Sequence, residues 1–151
     1  MLSRRRLLQG LALSPLASAA PGLARAAGGA VYAENGLALR GTDPMSYFTH
    51  GEPRPGSPEI GLMWRDAIWL FESEASRARF EMNPQAYAPR YGGYCAYAMA
   101  EGALASSVPE AFTLHGDRLY LNYSLPVRER WRSDMAGYIA EAEAHWPEVL
   151  G

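Results

Sequence analysis

"RDAIWLFESEASRARF", Arg65–Phe80, lines up without gaps on "GDRLYLNYSLPVRERW", Gly116–Trp131, at an offset of 51 residues. Asp66 falls on Asp117, Ile68 on Leu119, Trp69 on Tyr120, Leu70 on Leu121 and Ser73 on Ser124, while Arg77, Arg79 and Phe80 fall on Arg128, Arg130 and Trp131. Each copy reads as the turn and second strand of a β-hairpin, then a serine that caps a helix. Two hairpin-plus-helix units are therefore expected. Units this small cannot each bury an apolar face alone, so they are expected to pack into one core, giving a small single domain of the α+β class.

The flanking sequence extends this plan. Ile60–Phe71 consists of two apolar runs divided by Arg65-Asp66, a hairpin pattern. Before it, "GEPRPGSPE" at Gly51–Glu59 holds three prolines and two glycines and reads as an irregular connection. Thr42-Asp43-Pro44 has the chemistry of a helix start, with Tyr47 and Phe48 as its buried face and Gly51 as its end. The Ser73 helix is expected to stop near Met82, before Asn83-Pro84. One long C-terminal helix is expected over about Leu125–His145, since Trp131, Met135, Tyr138 and Ile139 form a stripe at helical spacing.

The N-terminus "MLSRRRLLQGLALSPLASAAPGLARA" has a basic start, a moderately apolar stretch and small residues in A-x-A spacing, the pattern of a signal peptide over residues 1–26, with cleavage after Ala19 or Ala26. Ser3-Arg4-Arg5-Arg6-Leu7-Leu8 is similar to the twin-arginine consensus, which implies the twin-arginine export machinery as a partner and a periplasmic destination. No later segment is apolar for long enough to span a bilayer. Cleavage after Ala26 takes four of the 14 arginines and no acid, leaving ten arginines against 16 acidic residues and a formal charge of about −6. The chain has no lysine and its remaining arginines are scattered among acids, which excludes a footprint for nucleic acid or anionic lipid. Residues 27–41 read as an N-terminal extension and 42–151 as the domain.

Asp43-Pro44-Met45, the hairpin ending Trp69-Leu70-Phe71, Phe80, "NPQAY" at Asn83–Tyr87 and "YGGYCAYA" at Tyr91–Ala98 together resemble the YHS domain, in particular its exported single-domain branch. The resemblance runs from about Ala38 to Leu150. It implies an association with heavy-metal handling, through cysteines in D-P-x-C and F-C-x-x-x-C patterns. On this chain those positions hold Ser46, Glu72 and Ser76, so the thiolate site itself is missing. In the exported branch the resemblance also implies selenocysteine in some members at the position of Cys95, hence a chemical role for the chalcogen there.

Cys95 is the one cysteine of the chain. A disulfide needs two, so its sulfur is a redox or nucleophilic centre, a soft-metal ligand, or a small buried apolar group. It follows Gly92-Gly93, which permit a tight turn or a close approach, and stands among Tyr91, Tyr94 and Tyr97, the expected wall of a pocket. Without a second cysteine its oxidation would stop at sulfenic acid or need an external thiol. His50, His115 and His145 are all remote in sequence. Cys95 and Met99 lie four apart, and thiolate with thioether would select copper(I) or another soft ion, although Met99 also suits a core gap.

Two functions of different class follow. One is an exported soft-metal (copper-like) handling or thiol-redox accessory working through Cys95, with Met99 as second metal ligand. The other is a non-catalytic small-ligand or protein-binding module in which Cys95 is structural.

Overall fold

The computed structural model describes residues 28–151. The signal peptide read over residues 1–26 lies outside them. Asn35 and Gly36, both left-handed at φ 52° and 81°, turn β1 (Ala33–Glu34) back onto β2 (Leu37–Ala38). The segment read as an N-terminal extension is thus woven into the domain, and Val31, Ala38 and Leu39 lie in its core.

The first unit follows. Asp43 opens the short helix α1 (Ser46–Thr49) by accepting the Met45 N–H on Oδ1 at 2.8 Å. Tyr47 is fully buried and Phe48 only partly, edge-on to Tyr87. The hairpin of β3 (Ser57–Trp64) and β4 (Ala67–Phe71) closes on Arg65 and Asp66, both left-handed at φ 50° and 60°, the geometry whose twist suits a two-residue hairpin. The first sheet has the order β1-β2-β4-β3, with β2 parallel to β4. The irregular connection is shorter than expected, since β3 begins at Ser57. A register shift between Ser57 and Gly61 lets Pro58 sit in the strand without a ladder donor. Ser73 caps α2 (Glu74–Met82) by accepting the Ser76 N–H at 3.1 Å, and Asn83-Pro84 divides it from α3 (Pro84–Tyr87).

The second unit repeats the first in detail. Cys95 opens α4 (Ala96–Ala100), and β5 (Val108–His115) pairs with β6 (Arg118–Asn122) across a left-handed Gly116-Asp117 turn. Ser57↔Phe71 and Gly61↔Leu70 in the first hairpin become Val108↔Asn122 and Phe112↔Leu121 in the second, with the same register shift between them. Each of these residues is displaced by 51 positions. Ser124 caps α5 (Leu125–Arg132) through the Val127 N–H at 3.3 Å, as Ser73 caps α2.

One expectation is corrected. The C-terminal helix is two helices, because Asp134 takes an extended φ of −153° and caps α6 (Met135–His145), its Oδ1 accepting the Gly137 N–H at 3.1 Å. Asn83 ahead of α3 has nearly the same backbone as Asp134, φ −152° and ψ 71° against −153° and 65°. The duplication therefore reaches past the second helix of each unit.

The two hairpins pack rather than pair. Strand β6 joins them: Leu119 and Leu121 belong to the cluster around Trp69, Phe71 and Phe80, while Tyr120, pointing the other way, belongs to the cluster around Tyr91, Met99 and Trp131. The α+β core is thus continuous through one strand buried on both faces. Among the described residues no helix is long and apolar enough to cross a membrane.

Candidate functional site

Cys95, the residue to which the sequence points, lies at the start of the short helix α4. A left-handed stretch precedes it: Tyr91, Gly92 and Gly93 have φ of 57°, 63° and 84°, matching Leu39, Arg40 and Gly41 at 53°, 52° and 82° in the first unit. Next, the Cys95 N–H donates to Ala105 O at 3.0 Å, as the Asp43 N–H donates to Arg54 O at 2.9 Å. Cys95 therefore holds, in the second unit, the place of Asp43 in the first. Its Sγ accepts the Ala98 N–H at 3.5 Å and its S–H donates to Asn122 Oδ1, also at 3.5 Å. Asn122 Oδ1 additionally accepts the Tyr97 N–H at 3.1 Å. The sulfur is a helix cap tied to the end of β6.

That position is sealed. Cys95 is 1% exposed and Met99 0%, and Cys95 lines neither of the two clefts described below. This differs from the expectation of a pocket around Cys95 walled by Tyr91, Tyr94 and Tyr97. Nor do the three tyrosines form one wall, since positions 91, 94 and 97 straddle a left-handed turn and a helix start. Tyr94 donates its O–H to Gly29 O at 2.9 Å. Tyr97 packs on Tyr138 beneath the Arg130 guanidinium. Tyr91 borders the second cleft described below.

The positions where the resemblance implies thiolates do converge. Ser46 Oγ–H donates to Asp43 O at 2.6 Å, and Ser76 Oγ–H and the Glu72 N–H donate to Asp43 Oδ2 at 2.7 and 2.9 Å. Beside them a groove of about 310 Å³ is lined by Met45, Thr49, His50, Glu72, Ser76 and Arg79. His50 Nε2 and Glu72 Oε2 pair there at 3.3 Å. Among the described residues no three His, Cys, Asp or Glu side chains are grouped to hold a metal ion.

A second cleft, of about 220 Å³, opens at the seam of the two units. Trp64 and Trp69 come from the first hairpin, 5.6 Å apart and steeply tilted; Tyr91 and Trp146 come from the second unit, 6.3 Å apart. The Trp69 Nε1–H is used by Trp64 O at 3.0 Å, which locks that pair. Gly92 forms part of the wall and brings the N-terminal segment in: its carbonyl accepts the Tyr32 N–H at 2.9 Å, and a Cβ on it would stand 2.1 Å from Ala30 O. Glycine is required here by both its left-handed φ and this approach.

Two arginines reach the cleft in different states. Arg90 Nη2 pairs with Glu143 Oε1 at 2.5 Å. Burial works against its charge, but the hydrogen bond and charge of Glu143 outweigh it and hold the guanidinium above its ordinary range. Burial, and then Glu143, also push the Tyr91 phenol far above its ordinary range. Arg65, at the rim, lies over the Trp64 ring at 4.5 Å. Among the described residues it has no carboxylate within 4.0 Å and makes no side-chain hydrogen bond.

No family model matches this chain, and no curated protein or solved structure matches it either.

The sequence reading missed Trp64, Arg65, Trp69, Gln85, Arg90 and Trp146. Its one available signal was Trp64-Arg65, a large aromatic and a cation at a hairpin turn whose left-handed geometry calls for neither residue type. The remainder are brought together by tertiary packing.

Proposed function

We propose that this protein is a non-catalytic binding module of YHS type, exported by the twin-arginine route to the periplasm, that holds a small molecule in the cleft between its two units. The observation that carries the binding reading is the pairing of aromatic walls from both units, Trp64 and Trp69 with Tyr91 and Trp146, around about 220 Å³ of space. Concave sites walled by aromatic side chains, with a few polar groups, are the usual form of small-ligand sites. The arginine-rich N-terminus supports export, and the run from Asp43-Pro44 to "YGGYCAYA" supports the YHS assignment. Cys95 is structural in this reading: its sulfur already serves as cap and donor, at 1% exposure.

The test is a screen of small planar compounds against the isotope-labelled protein, followed on the tryptophan indole N–H signals by NMR. Binders should move Trp64 and Trp146 and leave Trp131, which is fully buried in the second cluster, in place. Cys95→Ser should retain that binding. A copper(I) uptake that Cys95→Ser abolishes would replace this reading with the soft-metal one.

A further inference from the structure

We infer that the cleft ligand is a planar monoanion, one or two fused rings bearing a single carboxylate, bound by Arg65; the inference rests on the cleft being a ligand site at all. Charge decides the sign. Arg90 is neutralised by Glu143, whose Oε1 also lies 3.5 Å from the Tyr91 hydroxyl. Among the described residues Arg65 has no such partner, and it is the one uncompensated positive charge that they bring to the cleft. The chain as a whole is acidic, with a formal net charge of −2, so this cation is a local exception to the prevailing field.

Geometry decides the number of charges. A guanidinium presents a flat fork of donors that matches one carboxylate bidentately, and that of Arg65 already lies over the Trp64 ring, 4.5 Å from its centroid. A dianion such as a phosphate monoester would want a second free cation, and Arg90 is committed. The walls decide the shape: aromatic rings from both sides favour a flat, apolar body by stacking. Size sets the limit, since about 220 Å³ falls below the range of roughly 300–1,000 Å³ that accommodates drug-sized ligands. Gln85, which also borders the cleft, makes no hydrogen bond through its side-chain amide among the described residues and is free to meet a polar edge of the ring.

The experiment compares naphthoate with the neutral, nearly isosteric naphthamide on the full chain, read by calorimetry and by the indole N–H signals. Naphthoate should bind about tenfold more tightly, the worth of one partly exposed charge-assisted hydrogen-bond pair. Arg65→Gln should remove that preference while leaving naphthamide affinity within about twofold, and Arg65→Lys should restore part of it. An unmoved Trp131 signal certifies the fold of each variant. If both compounds bind equally, or Arg65→Gln weakens both alike, the anion assignment is overturned and the cleft stands as a ligand site. If neither moves the Trp64 or Trp146 signal, the binding reading falls with it.

Discussion

Asp43 and Cys95 are the same residue position in two copies of one unit, 52 residues apart. Each follows three left-handed residues, donates its N–H across the loop, opens a short helix and reaches the end of its hairpin's second strand. The carboxylate does this with three accepted hydrogen bonds, the thiol with one accepted and one donated. The unpaired cysteine is therefore explained by architecture before any chemistry is invoked. Its thiol should label with an alkylating reagent only when the protein unfolds. Cys95→Ser should fold, since serine is among the best cap residues, with a cost of about 1 kcal/mol. Rapid labelling of the native protein would contradict this account.

Asp43→Ala should be far more damaging. It strands the buried Met45 N–H and the part-buried Glu72 N–H and Ser76 hydroxyl, which all donate to that carboxylate. Loss of charged hydrogen bonds at a fully buried site should cost about 3–5 kcal/mol. Chemical denaturation of the two variants side by side checks the ranking, and a smaller loss for Asp43→Ala than for Cys95→Ser would refute it.

The paired caps offer an internal control. Ser73→Ala and Ser124→Ala each remove one hydroxyl acceptor from a helix start, so each should lower stability by about 1 kcal/mol. The double variant should lose the sum, because the two helices belong to different units.

These caps, both hairpins and the 51-residue offset were legible in the sequence because each depends on neighbours along the chain. The upstream half of the duplication was not. Leu39-Arg40-Gly41 and Tyr91-Gly92-Gly93 share a backbone path but one glycine only, Asp43 and Cys95 share a role but no chemistry, and the offset slips by one residue between loop and hairpin. The break at Asp134 was masked because Trp131, Met135, Tyr138 and Ile139 keep helical spacing across it. Asn35-Gly36, a strong hairpin signal, lay in the segment taken for an extension. The cleft joins residues from 64 to 146 and has no local signature.

Alkaline pH should destabilise the protein in a defined way. Burial, with Glu110 for Tyr47 and Glu143 for Tyr91, raises both phenols well above their ordinary value of 10.0. The unfolded chain releases these protons near pH 10 while the folded chain keeps them, so the stability they contribute is complete below that pH and declines above it. Tm should fall as pH rises past about 10, and Tyr91→Phe should make the fall shallower. An equal slope in the variant would exclude Tyr91 as a contributor.

Gly92→Ala should cost more than 2 kcal/mol, combining a left-handed backbone with a methyl group driven against Ala30 O. Because the carbonyl of Gly92 itself anchors the Tyr32 N–H, the change should also loosen the cleft wall and shift the Trp146 indole signal.

Strand β6, with Leu119 and Leu121 on one side and Tyr120 on the other, makes the two halves of the molecule a single cooperative unit. Neither half can open without stripping one face of this strand, so sub-global openings that release only one unit should be suppressed. In hydrogen exchange, the β6 amides that pair with β5 should report the same opening free energy as whole-molecule unfolding, despite belonging to a sheet of only two strands. A duplicated fold of this kind has traded the independence of its halves for one indivisible transition.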